Sequence, residues 1–361
     1  MVEYHINLSR LAKNYGEFAS FGEVFFPVKT NHNQIILNKL KKLGSGFECD
    51  CVDHIKKIYS KKNAHKIIFS NVAKPKNEIL WALKHKIIFY TVDDIPSLRF
   101  IIQNAKKYKL KHLKINLRLN IYDVFKKVFI KKGVQDSRLG ASVNKIKQMS
   151  MLIDKEKGIL IEKGISFYVQ AEVHDNKDML IDMTKYISSH FSKENGFDWV
   201  NIGGGSSVDR LNYSKAKVLF NLKKIDVQKI ILEPGRYMVG DVVDLYLDAL
   251  RIKNENEKEV VVSLSAGIYH GLLDVKLHNR KFDIYIKNVW SEESLSLYKS
   301  GKMLVLRGPT ADSSDIIGIY NIPKVKIDTN PVFIIKNAGA YVEALRSDFS
   351  GRVPIKYKVK N

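Results

Sequence analysis

The stretch GEVFFPVKTNHNQIILNKLKKLGSGFECD, residues 22–50, contains one complete strand–helix–strand unit. Val24–Val28 is a short apolar run that predicts a buried strand, and Gln34–Leu43 has the apolar spacing of an amphipathic helix. Gly46–Cys49 is the next strand candidate. Successive strands that are joined by a helix usually lie parallel in one sheet, so this stretch predicts a parallel α/β architecture.

The same alternation continues to about residue 241, with further helical runs at Glu78–Lys84 and Pro96–Tyr108. Eight strand candidates result: Val24–Val28, Gly46–Cys49, His65–Ser70, Ile87–Thr91, His112–Leu119, Gly164–Val169, Trp199–Ile202 and Lys229–Leu232. Eight such strands favour a (β/α)8 barrel, in which functional residues collect at the carboxyl ends of the strands.

The sequence pattern changes after about residue 242, where strand candidates follow one another without long helices between them. These candidates are Val242–Ile252, Glu259–Leu264, Lys302–Leu306 and Pro331–Lys336. We therefore predict a barrel over residues 8–241 and a mostly-β domain over residues 242–361. The N-terminal strand, residues 1–7, is expected to join the second domain.

Composition narrows the function classes. The 361 residues are 45% hydrophobic and 27% charged, which is typical of a globular protein. The net charge of +22 comes from lysines scattered in pairs such as Lys41-Lys42, and no block of five or six like charges forms a basic arm. The charge therefore indicates a solvated surface that attracts anionic substrates and phosphate cofactors, and it does not predict specific nucleic-acid binding.

Targeting, disulfide and metal signals are missing from the sequence. No apolar run approaches the about 20 residues that span a bilayer, and the first residues lack the apolar core of a signal peptide. We expect a cytoplasmic protein without membrane contact. Cys49 and Cys51 stand one residue apart, and no metal-ligand spacing occurs, so the sequence predicts reduced thiols and no metal site.

Lys29 stands directly at the end of the first barrel strand. A lysine at this position points into the mouth of a barrel, where burial lowers the amine pKa and favours the neutral, nucleophilic form. Schiff-base chemistry requires such an amine. Most lysines at strand ends face solvent, so this position alone does not establish a function.

Two further strand ends carry residues suited to a phosphate cofactor. Asn201–Ser207 reads NIGGGSS, and three glycines after a strand let backbone N–H groups approach an anion, although a plain turn would look the same. Glu233–Tyr237 reads EPGRY and puts together a carboxylate, which can pair with a protonated pyridine nitrogen, and an arginine, which can hold phosphate oxygens. A surface turn with an ion pair is the alternative.

Together with GPTADSSD at 308–315 and NAGAY at 337–341, these motifs form an ordered set that resembles the fold-type III pyridoxal-phosphate (PLP) decarboxylases. This family includes ornithine, diaminopimelate and carboxynorspermidine decarboxylases and siderophore-pathway relatives. The resemblance runs from about Phe25 to Tyr341. It implies an alanine-racemase-type barrel with a β domain, and a homodimer in which the two subunits share the active sites.

The resemblance also implies roles for individual residues. Lys29 would bind PLP as a Schiff base, Glu233 would pair with the pyridine nitrogen, and Asp312 would recognise substrate in the active site of the partner subunit. The catalytic set is Lys29, Glu233, Tyr168 and Asp312. The cofactor-binding set is Lys29, Glu48, Arg118, Tyr168, Gly203, Gly204, Gly205, Glu233, Gly235, Arg236 and Tyr341. The substrate-binding set is Asp312, Tyr269 and His270.

The sequence departs from the family pattern at several of these positions. Ala311 stands where the family has the cysteine that protonates the substrate carbon after carbon dioxide leaves. Glu48 replaces an aspartate, and Tyr168 replaces the histidine that stacks on the pyridine ring. Protonation would then fall to another group, for which the candidates are Tyr168, His174, His270 and Lys29. The product is either the amine or, if the cofactor carbon is protonated, an aldehyde.

The sequence thus predicts PLP-dependent decarboxylation of an amino acid with a polar or cationic side chain. Ornithine, lysine, another diamino acid and a siderophore- or polyamine-type compound all remain candidate substrates. Two alternatives stay open. One is an amino-acid racemase or epimerase of the same fold, and the other is a non-catalytic homologue resembling an antizyme inhibitor, which the loss of the cysteine would favour.

Overall fold

The computed structural model describes residues 1–131, 138–168, 177–204, 229–254, 256, 258–287, 294–295, 298–323, 327, 331–351 and 354–361. Its strands are β1 (Val2–Asn7), β2 (Glu23–Pro27), β3 (Gly46–Cys49), β4 (Ile67–Phe69), β5 (Phe89–Val92), β6 (His112–Arg118), β7 (Leu160–Ser166), β8 (Trp199–Asn201), β9 (Lys229–Leu232), β10 (Val243–Asn254), β11 (Glu259–Leu264), β12 (Ile284–Lys287), β13 (Lys302–Arg307), β14 (Ile316–Ile322), β15 (Val332–Ile335) and β16 (Ile355–Lys360).

The α-helices are α1 (Leu8–Ala19), α2 (Gln34–Leu43), α3 (Val52–Ile58), α4 (Lys76–Lys84), α5 (Ile95–Lys107), α6 (Ile121–Lys131), α7 (Val143–Asp154), α8 (Lys177–His190), α9 (Arg236–Val239) and α10 (Asp274–Leu277). None of these helices is both long and apolar enough to cross a membrane.

Strands β2 to β9 form a closed parallel barrel, in which β9 pairs with β2 to complete the ring. The predicted barrel is therefore confirmed. Helix α2 shows how the sequence builds its outer layer. Ile36, Leu37 and Leu40 are buried on one side, whereas Lys41 and Lys42 are exposed on the other. This amphipathic pattern lets the helix cover the sheet while its charges stay in water.

A cluster of large apolar side chains fills the barrel interior. Phe25, Ile68, Phe89, Trp199 and Ile231 come from five different strands and are each at most 2% exposed. Phe25 contacts Phe89 edge-to-face with ring centroids 5.9 Å apart, and Phe89 contacts Trp199 at 5.2 Å. The barrel is thus a packed core whose function is confined to its ends.

Trp199 fits this core for two reasons. Its neighbours leave space for the indole ring, and one of them accepts a hydrogen bond from it. Its Nε1 donates to Asn116 Oδ1 at 2.6 Å, so the buried N–H group is satisfied. Gly164 on β7 packs flat against the ring, and a Cβ at this position would lie 2.2 Å from Nε1. A residue with any side chain at position 164 would therefore push Trp199 out of place.

The remaining strands form a second, eight-stranded sheet. Its main path runs β12-β15-β10-β11-β13-β14, while β1 pairs antiparallel with β10 and parallel with β16. The predicted β10, β11, β13 and β15 agree with the structure to within two residues at each end. The strands β12, β14 and β16 had not been predicted.

The chain divides into two compact units. The barrel unit comprises 14–29 and 37–235, and the β unit comprises 1–13, 30–36 and 236–361. The domain limits inferred from the sequence, 8–241 and 242–361, remain a prediction. The structural division places the turn after Lys29 and the residues from Arg236 onward with the β unit.

We predict that Gly164→Ala lowers the free energy of unfolding by about 1–3 kcal/mol, the usual cost of overpacking a core. Urea denaturation followed by tryptophan fluorescence measures this change. Gly16→Ala in α1 serves as the control, because a Cβ there meets no atom within 4 Å. It should stabilise the protein by about 0.5–1 kcal/mol. Equal stability of the wild type and Gly164→Ala would contradict the packing argument.

Candidate active site

The mouth of the barrel is organised around Lys29. Strand β2 ends at Pro27, and the short 3-10 turn that follows, Val28–Thr30, carries Lys29. Its Nζ lies 3.3 Å from Glu48 Oε1 and 3.1 Å from Asp50 Oδ2. Because β2 and β3 are parallel neighbours, their carboxyl ends bring the amine and both carboxylates together.

The charge state of Lys29 differs from the sequence-based expectation. Burial acts to lower the Lys29 pKa, as predicted, but the carboxylates of Glu48, Asp50 and Glu233 act in the opposite direction and raise the pKa above its ordinary value. The side chain is also 43% exposed. The prediction of a neutral buried amine was therefore wrong, because it considered burial without the neighbouring negative charges.

Glu48 is the buried member of this cluster, with a side chain only 1% exposed. Burial raises the pKa of Glu48; Lys29 partly offsets this, and Asp50 and Glu233 raise the pKa further. Its Oε2 receives no hydrogen bond from a donor among the described residues, and a side-chain hydrogen bond with the Asp50 carboxyl group also raises the Glu48 pKa. A buried carboxylate oxygen without a donor is costly when charged, so the protonated form of Glu48 is favoured.

Glu233 completes the cluster from the carboxyl end of β9, the strand that pairs with β2 on the side opposite to β3. Its Oε1 accepts a hydrogen bond from Asn201 Nδ2 at 2.7 Å, and Asn201 Oδ1 accepts from the backbone N of Gly203 at 2.9 Å. Burial raises the Glu233 pKa, although the Asn201 amide, Lys29 and Arg118 each act to lower it. Asn201 therefore fixes both the carboxylate and the start of the glycine loop. The sequence-based site had not included it.

Gly203 and Gly204 lie so close to the backbone of neighbouring strand ends that any side chain at these two positions would clash. Gly203 has φ of +63°, and its backbone N–H group donates to the side chain of Asn201. A Cβ on Gly204 would lie 2.6 Å from the carbonyl oxygen of Glu233. Both glycines are thus required by geometry at a strand end. Gly205 and the two serines after it lie outside the described residues.

Lys74 and Arg118 add positive charge at neighbouring strand ends. Lys74 Nζ donates to the carbonyl oxygen of Thr91, and burial lowers its pKa to about 7, although Asp93 and Asp94 oppose the shift. Arg118, the last residue of β6, contributes to the low pKa of Lys74. Sequence reasoning had included Arg118 but missed both Lys74 and Asp50. Their position in the sequence could have identified them as site residues, since each follows a predicted strand within a few residues.

Tyr168 follows β7 and is 47% exposed. The backbone of Gly203 runs beside it, because a Cβ at Gly203 would lie 3.8 Å from Tyr168 Cα. The Tyr168 side chain is thus exposed at the end of this strand. His174, another candidate proton donor, lies outside the described residues.

Within the β unit, Arg236 is held by a buried acid and an aromatic ring. Its Nη1 lies 2.5 Å from Oδ2 of Asp274, whose side chain is 1% exposed, and its guanidinium stands 4.6 Å from the centre of the Tyr341 ring. Arg280 Nη1 approaches the same carboxylate at 3.4 Å. Two cations share one carboxylate, so this region retains a net positive charge that suits an anion.

The NAGAY turn is tied to the residues that follow Lys29. The backbone N of Tyr341 donates to Thr30 O at 2.8 Å, and Asn31 Nδ2 donates to Gly339 O at 2.8 Å. Tyr341 itself adopts φ of +60°, a costly conformation for a residue with a ring side chain. The contacts with Thr30 and Asn31 help to maintain this conformation.

The predicted substrate residues form one group in the β unit. Asp312 accepts hydrogen bonds from Tyr269 Oη at 2.9 Å and from the backbone N and Oγ of Ser314 at 2.7 and 2.6 Å. The bonds from Ser314 and Tyr269 lower the Asp312 pKa. Asp312 is therefore an oriented carboxylate. His270 is instead 2% exposed, and burial lowers its pKa.

These residues fit PLP. Lys29 supplies an amine, Glu233 a buried carboxylate that a protonated pyridine nitrogen would satisfy, and the orphaned Oε2 of Glu48 a polar group that needs a partner. The close glycine turn is suited to phosphate. An amine at the end of a parallel eight-stranded barrel, with an acid at the end of the neighbouring strand and a glycine loop at the end of the strand after that, defines the barrel class of PLP enzymes.

Comparison with known proteins makes the assignment more specific. The family model "Pyridoxal-dependent decarboxylase, pyridoxal binding domain" matches residues 7–240, so the chain belongs to this family and is a PLP-dependent decarboxylase. It is 26% identical to diaminopimelate decarboxylase of Campylobacter jejuni over 345 residues, which cover 91% of this chain and 82% of the relative.

Solved structures share the fold. The arginine decarboxylase of Paramecium bursaria Chlorella virus superposes with a TM-score of 0.81 at 18% identity, covering 99% of this chain and 96% of the other. The diaminopimelate decarboxylase of Helicobacter pylori in complex with L-lysine gives 0.78 at 20% identity, with coverage of 100% and 92%. At these identities the likeness establishes the barrel with its β domain.

We predict that Glu48→Gln stabilises the cofactor-free protein at alkaline pH. An acid whose pKa is raised by folding costs stability once the pH exceeds its ordinary value, and this cost grows until the pH passes the raised pKa. The variant should therefore match the wild type near pH 4 and exceed it by about 1–3 kcal/mol at pH 8. Urea denaturation across this range measures the difference. The exposed Glu194→Gln is the control, and a gain that does not depend on pH would contradict the argument.

Proposed function

We propose that the enzyme decarboxylates an amino acid whose side chain ends in a cationic group. The observation that carries this proposal is the carboxylate of Asp312, which Tyr269 and Ser314 orient and hold ionised. A fixed carboxylate recognises an ammonium or guanidinium group by a charge-assisted hydrogen bond. The relatives support the same class, since their names concern diaminopimelate and arginine.

We assign the cofactor-handling roles to residues of both units. Lys29 is the covalent anchor, and Glu48 and Asp50 hold its Nζ in place. Glu233 pairs with the pyridine nitrogen, with Asn201 fixing the orientation of its carboxylate. The phosphate is bound by the glycine loop at Gly203 to Gly205, with Gly235, Arg236 and Tyr341. When bound, PLP accepts the electron pair that the departing carboxyl group leaves behind.

The remaining residues keep the roles that the family resemblance suggested. Arg118 contributes positive charge beside Glu233, and Tyr168 offers its ring to the pyridine face. Tyr269 and His270 line the substrate end. We propose that the protein is a cytoplasmic homodimer in which Asp312 of one subunit serves the active site of the other.

The role of Lys29 is tested by replacing it in two ways. Lys29→Ala should abolish borohydride-trapped PLP and reduce decarboxylation to background, measured by mass spectrometry of the protein and of released amine. Lys29→Arg is the matched control, because it keeps a cation between Glu48 and Asp50 but cannot form the covalent bond. It should remain folded and equally inactive. Retained covalent PLP in either variant would refute the assignment, and recovered substrate with inverted configuration in the wild type would indicate a racemase.

The role of Asp312 is tested by substrate preference. Asp312→Asn should lower kcat/KM several-fold for lysine, ornithine and arginine, because the charge contact is lost while the shape is kept. Turnover of an uncharged analogue of the same length, such as norleucine, should be unchanged. Ser313→Ala in the same loop is the control. An equal loss on charged and uncharged substrates would show that Asp312 serves the loop and not the substrate.

A further inference from the structure

Loss of carbon dioxide leaves an electron pair on the substrate carbon, and this carbon must then receive a proton. Ala311 has no exchangeable proton, so another side chain has to supply it. The supplier must lie close to Lys29, because the amino group of the substrate reacts where Lys29 is anchored. A carboxyl group meets the need at neutral pH only if burial raises its pKa enough to keep it protonated.

Among the described residues, the carboxyl groups beside Lys29 meet these conditions unequally. Asp50 is 30% exposed and pairs with Lys29 through both of its oxygens. Glu233 is committed to Asn201 through Oε1. Glu48 is 1% exposed, contacts Lys29 through Oε1, and receives no hydrogen bond from a donor at Oε2, while a side-chain hydrogen bond with the Asp50 carboxyl group favours its protonated form. Of these three carboxyl groups, Glu48 alone combines full burial with an oxygen to which no donor is bonded, so it is the one suited to carry a proton.

The charges around Lys29 favour the same group. Lys29 faces Glu48 and Asp50 at 3.3 and 3.1 Å, with Glu233 also acting on it. Glu48 is surrounded by Lys29 from the turn after β2, by Glu233 directly after β9, by Cys49 from its own strand and by Asp50 directly after that strand, while the neighbouring β4 carries the apolar Ile67–Phe69. Arg118 is a further cation, but it acts on Glu233. Burial and the neighbouring carboxylates Asp50 and Glu233 both disfavour the charged form of Glu48, so this carboxyl group favours the protonated state.

We infer that Glu48 is the proton donor of this decarboxylase and takes the place of the thiol that Ala311 lacks. This inference rests on the proposed function. In the step, the bond between the substrate carbon and its carboxylate breaks, carbon dioxide leaves, and the electron pair takes the proton from the Glu48 O–H group. Glu48 becomes a carboxylate beside Lys29 and regains a proton from water. One proton is consumed per turnover, and no oxidant or reductant takes part.

The first test is Glu48→Gln in the holoenzyme, because the amide keeps the shape of a protonated carboxyl but has no acidic proton. We expect bound PLP to be retained, turnover to fall by about 10²–10⁴-fold, and the loss of activity at alkaline pH that marks a general acid to disappear. Glu48→Asp should keep this alkaline limb and part of the turnover. Turnover in Glu48→Gln within about threefold of the wild type, with an unchanged pH profile, would overturn the inference.

The second test restores a proton donor at position 311. The double variant Glu48→Gln with Ala311→Cys should recover at least about tenfold of the lost turnover, with the amine as product. Ala311→Ser is the matched control for size and should not rescue. If the double variant binds PLP but the Ala311→Cys change does not restore turnover, the inference that Glu48 takes the place of the missing thiol is overturned.

An infrared measurement keeps the inference separate from the proposed function. The carboxylic-acid carbonyl band of the holoenzyme should disappear in Glu48→Gln and shift in Glu48→Asp. If no such band is lost, Glu48 holds no proton and the inference fails whatever the substrate. If the band is present but the wild type decarboxylates no amino acid, the proposed function fails instead. Should Glu48→Gln not bind PLP, an inactive but PLP-loaded Glu48→Asp would overturn the inference.

Discussion

The position of the Lys29 ammonium depends on the carboxylates that face it. Glu48 and Asp50 approach it directly, and Glu233 acts on it from the end of the neighbouring strand β9. Like charges so close together destabilise a folded protein unless a cation or a proton separates them. The ends of β2, β3 and β9 are therefore held in register by an arrangement that is stable only with positive charge at its centre. A cofactor with a protonated ring nitrogen and a covalent amine link suits this arrangement.

The barrel could be predicted from the sequence because its strands are buried on both faces. Such strands appear as continuous apolar runs, and each is followed by a helix with a clear apolar side. The second sheet offered weaker signals. Ile316–Ile322 contains Gly318 and Asn321, and Ile355–Lys360 alternates lysine with apolar residues at a sheet edge. Lysines on an edge strand prevent the strand from pairing with other chains, but they also interrupt the apolar run by which a strand is predicted from sequence.

The candidate site was predictable where one motif carried one function. Lys29, Glu233 and the glycines could be identified because their spacing matched a known order. Asn201, Asp50 and Lys74 were missed because their roles arise only when separate strand ends meet in space. The predicted direction of the Lys29 pKa shift was wrong for the same reason. A sequence shows that a residue will be buried, but the charges that surround it come from strands about 20 and 200 residues away.

The β unit adds a constraint that a barrel alone could not provide. By its contacts, the chain leaves the barrel unit directly after Lys29 and again directly after Gly235, so that Thr30 and Arg236 both belong to the β unit. Thr30 holds the backbone of Tyr341, while Asp274 and the Tyr341 ring hold Arg236. Thr30, which follows Lys29, and Arg236, which follows the EPG turn, are thus fixed by a single network. A small displacement of Tyr341, whose backbone is already strained, would therefore act on both motifs together.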